Sequence, residues 1–195
     1  VGEAEGVWEQ VLEDFRKGTL QRTYHHPKPS LDRYIPLKFR KLTKKRGFNV
    51  IPIMTTRGCP YDCEFCCVND LYGKKLRHAP ISNIVKDIQE TGGKIYMFLD
   101  DNIVGNTKYA KELFRAIKPL NIKWVGQSSI SFSNDTELMR LAKESGCGAL
   151  FIGLESVSTH QLRKMRKSIK DIEGLETAIK KIKDTGIHLH ASMVF

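Results

Sequence analysis

Apolar residues recur along this chain in two rhythms. Val7, Trp8, Val11, Leu12 and Phe15 stand three or four residues apart, the spacing of one helical face, and Gly18 follows as a stop. They predict a helix within residues 3–17 whose apolar stripe needs a partner to cover it. From Phe48 onward, short apolar and β-branched runs alternate with helical stripes. The runs FNVIPIMT, KIYMFLDDN, IKWVGQS, CGALFIGLES and IHLHASMVF predict five strands. Between them, Ile81, Ile84, Val85 and Ile88 predict a helix ending at Gly92 and Gly93, and Ala110, Leu113, Phe114 and Ile117 predict one that stops before Pro119. Leu138, Leu141 and Ala142 predict a third, opened by a capping box of Asn134 and Glu137 and closed by Gly146. Ile172, Leu175, Ile179 and Ile182 predict a fourth, ending at Gly186. Strands alternating with helices form successive βαβ units, which give a parallel sheet with right-handed crossovers. The predicted fold is therefore α/β, a (β/α) barrel or its open relative, with about five strands falling in this chain. In such folds ligands sit at the C-terminal ends of the strands.

The first quarter of the chain follows neither rhythm. Pro27, Pro29 and Pro36 among many charges read as a linker, with a short strand at Leu20 to Tyr24. Val1, Gly2 and Glu3 read as the end of a strand belonging to something upstream. We therefore expect residues 1–47 to be a helix and linker remnant of a missing upstream domain, and residues 48–195 to be the N-terminal and central part of the strand-and-helix core. His25 and His26, adjacent in a proline-rich linker, are expected at the surface.

Hydrophobic content of 41% and charged content of 28% are those of an ordinary globular protein. No apolar run approaches a membrane span, and the N-terminus lacks the character of a signal peptide. Five cysteines, an odd number, argue for reduced thiols and a cytoplasmic setting. The net charge of +10, and the run Lys38, Arg40, Lys41, Lys44, Lys45 and Arg46, invite a nucleic-acid reading. No aromatic residue interleaves that run after Phe39, so a solvated linker is expected and nucleic acid is not the expected partner. A second basic group, Arg163, Lys164, Arg166, Lys167 and Lys170, follows the fourth predicted strand.

The chemistry concentrates in the stretch RGCPYDCEFCC, residues 57–67, where Cys59, Cys63 and Cys66 stand at C-x3-C-x2-C spacing. Soft thiolates suit iron–sulfur clusters or zinc. A structural zinc site closes with four ligands and a ferredoxin-type cluster uses four cysteines; three leave one iron of a four-iron cluster open to a small molecule. A zinc site completed by Cys67 or His78, and a redox dithiol of Cys63 and Cys66, are the competing readings.

At these residues the chain resembles the radical S-adenosylmethionine (SAM) superfamily, whose signature has this spacing with an aromatic residue before the last cysteine, here Phe65. The resemblance implies a six-unit partial barrel and a [4Fe-4S] cluster on Cys59, Cys63 and Cys66. It also implies that the amino and carboxylate groups of SAM chelate the open iron, and that reduction cleaves SAM to methionine and a 5'-deoxyadenosyl radical. A reductant of flavodoxin or ferredoxin type and an unknown small-molecule substrate go with that reading. The opening Gly2, Glu3, Ala4 and Glu5, followed by a helix, resembles the segment that closes the cobalamin-binding domain in one branch of these enzymes. The histidine motif of such domains is absent, so cobalamin would belong to the full-length protein through a domain outside this chain. The expected reaction is cobalamin-dependent methyl transfer. The alternatives are a methylthiotransferase-like enzyme and a non-catalytic iron–sulfur or zinc module.

If the cofactor sits at the strand ends, polar residues there should hold it. Asp100 and Asp101 end the second predicted strand, where the superfamily usually has a Gly-Gly-Glu-like segment that binds the methionine amino group. Gln127 and Ser129 end the third on one face. Glu155 ends the fourth, in the position that resemblance assigns to the ribose hydroxyls. His188, His190 and Ser192 share a face of the fifth strand without an assigned role. Cys147 is expected to be buried and Cys67 to stand beside the ligands.

Overall fold

The computed structural model describes residues 3–32, 50–166 and 172–194. Val1, Gly2, Pro36, the basic run from Lys38 to Arg46, Phe48, Asn49, Lys167, Lys170 and Phe195 lie outside the described residues.

Helix α1, Trp8–Lys17, ends at Gly18, whose φ of 69° lets the chain turn in the left-handed region. The core follows in the order β1 (Val50–Ile53), β2 (Thr56–Arg57), α2 (Val68–Tyr72), β3 (Arg77–His78), α3 (Ile81–Thr91), β4 (Ile95–Phe98), α4 (Thr107–Ile117), β5 (Lys123–Ser128), α5 (Thr136–Glu144), β6 (Cys147–Glu155), α6 (Thr159–Lys164), α7 (Ile172–Asp184) and β7 (His188–Met193). Strands β1, β4, β5, β6 and β7 form one parallel sheet in that order. Each of the five predicted strands is present and pairs with its neighbour in sequence. The short β2 and β3 pair antiparallel and frame the cysteine loop between them.

The faces of the sheet divide as a half-built barrel requires. Tyr96, Phe98, Trp124, Leu150 and Ile152 are buried on the outer face. Ile84 and Ile88 of α3, Leu113, Phe114 and Ile117 of α4, and Leu138 and Leu141 of α5 join them in one core. Phe114 stacks on Trp124 with ring centroids 5.1 Å apart, and the indole N–H donates to Ser145 Oγ at 3.1 Å. Full burial of side chains this size stabilises by ~1.5–3 kcal/mol each. On the inner face Gln127, Phe151 and His190 are in register, and Gly153 lies beside Ser192.

Two local expectations change. The segment Leu20 to Tyr24 is not a strand: Tyr24 Oη donates to Asp14 on α1 at 2.8 Å and accepts from Gln21 N–H, folding the segment back on the helix. The cap of α5 is Asp135, whose carboxylate accepts from Leu138 N–H at 2.9 Å, not Asn134. Lys111, at 2.8 Å, and Arg115 draw Glu137 outward, so it does not reach back to close a capping box. The stripe of α1 is left largely open, with Trp8 and Phe15 exposed.

The first residues are tied to the core all the same. The Glu3 carboxylate, 3% exposed, pairs with Arg77 and, at 2.5 Å, with Arg57, while Glu5 also pairs with Arg57. Arg57 precedes Cys59 by two residues, so ion pairs cross the expected 47/48 boundary onto the cysteine loop.

Candidate functional site

The cysteine loop leaves β2 through Gly58, whose φ is 95°. A Cβ there would stand 2.7 Å from the Gly73 carbonyl oxygen and 2.9 Å from that of Lys75, so the turn has room only for glycine. The loop then curls over the C-terminal ends of β4, β5 and β6. Cys59, Cys63, Phe65 and Cys66 face Asp101, Gln127, Ser129, Glu155 and Ser192 across a cavity of about 250 Å³. The three thiols are half-buried and outside any disulfide, and Phe65 is half exposed at the mouth. Among the described residues, no three His, Cys, Asp or Glu side chains are gathered closely enough to hold one metal ion. A multi-iron cluster attaches each thiolate to a different iron and so holds the sulfurs further apart than a single ion does. A donor set of three soft thiolates on one wall, with polar groups opposite, fits such a cluster with a small ligand beside it.

Burial pushes the Cys59 thiol above its ordinary value, against the opposing pull of the Tyr61 backbone N–H and the Asn102 side chain. Cys67 is exposed and caps α2, and Cys147 is buried in the core, 2% exposed. Glu64 N–H donates to the Met165 carbonyl, and Arg166 lies 3.7 Å from Asp62, so the end of α6 braces the outer side of the loop.

The two aspartates part company. Asp100 is fully buried and turned away from the cavity, accepting from Thr55 N–H at 3.2 Å, Thr55 Oγ1 at 2.7 Å and Thr56 Oγ1 at 2.6 Å. Burial raises its pKa, and the two threonines oppose that shift. It staples the end of β4 to the segment joining β1 and β2 and does not line the cavity, so of the two aspartates expected to serve only Asp101 is placed there. Asp101 lines the cavity; burial raises its pKa, and the Gly58 N–H, at the foot of the cysteine loop, partly offsets the rise.

Gln127, near the end of β5, and Ser129, just beyond it, both line the cavity, as does Ser128 between them. Glu155 ends β6 at 8% exposure with φ of 67°, an unfavourable backbone for a residue with a Cβ. The register between β6 and β7 shifts there, and Val194 N–H donates to the Glu155 carbonyl at 2.9 Å. With the strand bulged at that point, Glu155 lines the cavity. Of the residues on β7, Ser192 lines the cavity and His190 stacks on Phe151 at 4.9 Å, while His188 is exposed one turn of the pleat below. His25 and His26 are at the surface, as expected.

Sequence reasoning passed over Asn102, which is 2% exposed between Cys59 and Ser129. Its position directly after the acidic pair at a strand end was the available signal. It also passed over Tyr61 and Ser131, whose hydroxyls meet at 2.8 Å. Tyr61 separates the cavity from a second one of about 570 Å³ lined by His78, Asn106 and Asn134.

Comparison with known proteins gives this geometry its context. The family described as the Radical SAM superfamily matches residues 53–195. Bacteriochlorophyllide d C-12(1)-methyltransferase of Chlorobaculum tepidum is 30% identical over 205 residues, which take in 100% of this chain and 45% of that protein. Cytidylyl-2-hydroxyethylphosphonate methyltransferase of Streptomyces wedmorensis is 28% identical, over 88% of this chain and 33% of its own length. This chain thus spans less than half the length of either relative. Among solved structures, the cobalamin-dependent S-adenosylmethionine radical enzyme OxsB, with aqua-cobalamin and S-adenosylmethionine bound, superposes with a TM-score of 0.80. That match covers 98% of this chain and 32% of OxsB at 18% identity, a likeness of fold.

Proposed function

Because the chain belongs to the radical SAM superfamily, whose members use a [4Fe-4S] cluster and SAM, we propose that Cys59, Cys63 and Cys66 hold the cluster and that the strand-end residues opposite hold SAM. When bound and reduced, the cluster supplies the electron that cleaves SAM to methionine and a 5'-deoxyadenosyl radical. The protein's part is ligation, orientation and exclusion of side reactions. Asp101 accepts from the methionine ammonium, Glu155 accepts from the ribose hydroxyls, and Gln127 and Ser129 supply further polar contacts. Phe65 screens the sulfurs at the mouth.

One observation carries this reading: the only three cysteines at C-x3-C-x2-C spacing share one cavity with four polar strand-end residues that the sequence had singled out, Asp101, Gln127, Ser129 and Glu155. Both relatives are named as methyltransferases, so the reaction we assign to the whole protein is SAM-dependent radical methylation of a small molecule. The GE-x-E opening and the uncovered stripe of α1 support an upstream cobalamin-binding unit, with residues 1–47 as its junction to the core. The reductant is of flavodoxin or ferredoxin type, and the setting is cytoplasmic. No helix among the described residues is long and apolar enough to cross a membrane.

The test is anaerobic reconstitution of the chain with iron and sulfide, reduction, and electron paramagnetic resonance (EPR) spectra with and without SAM. A [4Fe-4S]+ signal that SAM shifts is expected. Stoichiometric zinc without a cluster, or a cluster signal indifferent to SAM, refutes the assignment.

A further inference from the structure

The buried amide of Asn102 is not accounted for by SAM binding. Its Oδ1 accepts from Ser129 N–H at 3.2 Å, a bond that only the oxygen can make, so the orientation of the amide is fixed. The NH2 group is thereby left facing two acceptors, Ser129 Oγ at 3.3 Å and Cys59 Sγ at 4.0 Å. The Asn102 carbonyl accepts from Gly105 N–H at 2.9 Å, and the neighbouring Ile103 N–H donates to the Gln127 carbonyl at 3.0 Å, so the backbone behind the amide is fixed too. The chain of polar contacts continues from Ser129 Oγ to Ser131 Oγ at 2.7 Å and on to Tyr61 Oη at 2.8 Å.

From this network we propose that Asn102 is a positioning residue that holds an N–H donor against the Cys59 sulfur and so raises the reduction potential of the cluster. The proposal rests on the assignment of Cys59 as a cluster ligand. Charge on the ligand sulfurs grows when a cluster takes up an electron, so a donor aimed at one of them stabilises the reduced state more than the oxidised state. Hydrogen bonds to the sulfurs are among the controls of cluster potential. A donor buried among fixed partners serves this purpose better than water, because it does not have to reorient when the charge arrives.

The experiment is an EPR-monitored redox titration of the reconstituted chain, with iron content measured alongside. Asn102→Leu removes the donor at similar size, and Asn102→Asp keeps an acceptor for Ser129 N–H but puts negative charge beside the sulfur. Ser129→Ala keeps the backbone bond to Oδ1 and frees one hydrogen of the amide. At a fixed poise, Asn102→Leu is expected to lower the ratio of reduced to oxidised cluster about three- to tenfold, tenfold being about 59 mV for a one-electron couple. Asn102→Asp should lower it further, and Ser129→Ala should move it least. If Asn102 is only structural, iron content and melting temperature fall while the midpoint of the retained cluster equals the parent's; that result overturns the inference and leaves the cluster assignment standing. A parent chain that takes up no cluster overturns the assignment itself.

Discussion

Replacing Glu155 by glycine should separate the stability of the fold from its function. Glu155 has a φ of 67° at the end of a buried strand, a left-handed conformation that costs a residue with a Cβ about 1–3 kcal/mol. Glycine removes that cost but gives the unfolded chain more freedom, worth about 0.4–1 kcal/mol in the opposite direction. Glu155→Ala is the necessary companion, because both variants lose the same carboxylate and only alanine keeps the strain. The glycine variant should therefore be more stable than the alanine variant by about 1 kcal/mol, or about 2–4 °C in melting temperature for a chain of this size. Urea unfolding with unchanged slope measures the difference. In SAM titrations of the reconstituted chain the two variants should behave alike. Losing a hydrogen-bonded carboxylate worth about 1.5–3 kcal/mol weakens binding roughly ten- to a hundredfold. An alanine variant as stable as the glycine variant would mean that the backbone at Glu155 is unstrained. SAM binding at the parent's affinity in either variant would remove Glu155 from the cofactor site.

Asp100→Ala should act on the fold: it strands the Thr55 and Thr56 donors and should cost roughly 3 kcal/mol in urea unfolding, while the folded fraction binds SAM as the parent does. Gly58→Ala, which drives a Cβ to 2.7 Å from the Gly73 carbonyl, should displace the cysteine loop and lower iron uptake on reconstitution more than it lowers the melting temperature; full iron uptake would show that the turn tolerates a side chain. Glu3 gives a pH dependence. Burial raises its pKa, but the hydrogen bonds and charges of Arg77 and Arg57 outweigh burial and leave it below the ordinary value of 4.5. A carboxylate depressed in the folded state stabilises fully above its unfolded pKa, and that contribution is lost as pH falls through the folded value. Hydrogen-exchange protection of the Val7 and Trp8 N–H groups, taken relative to the intrinsic exchange rate at each pH, should therefore be highest at neutral pH and fall below about pH 4.5, ahead of the sheet. Simultaneous loss of protection in both would show that the N-terminal segment is not held by this pair.

The alternation of strand and helix was legible because it needs only local information. Ile84 and Ile88, or Leu113 and Ile117, recur at helical spacing whatever they pack against, and βαβ chirality then leaves few ways to order the strands. The grouping of Cys59, Cys63 and Cys66 was legible for the same reason, since the three thiols that share the cavity are near neighbours in sequence. Asn134 was misjudged as the cap because Asp135 lies one residue on, and what draws Glu137 away from a capping role belongs to α4, in Lys111 and Arg115.

The sequence by itself thus determined the class of fold, the triad of thiols and the end of the sheet at which polar residues gather, each a matter of spacing along the chain. Tertiary structure alone decided which polar residues face the cavity. Asp100 and Asp101 are adjacent and chemically alike, yet one is consumed by Thr55 and Thr56, 45 and 44 residues earlier in the chain, and the other lines the cavity. It also decided that Glu3 should meet Arg57 and Arg77 across 54 and 74 residues, and that Asn102 should turn its amide toward Cys59. Such pairings depend on where the chain returns in space and on which donor reaches a buried acceptor first, and the order of residues along the chain carries neither.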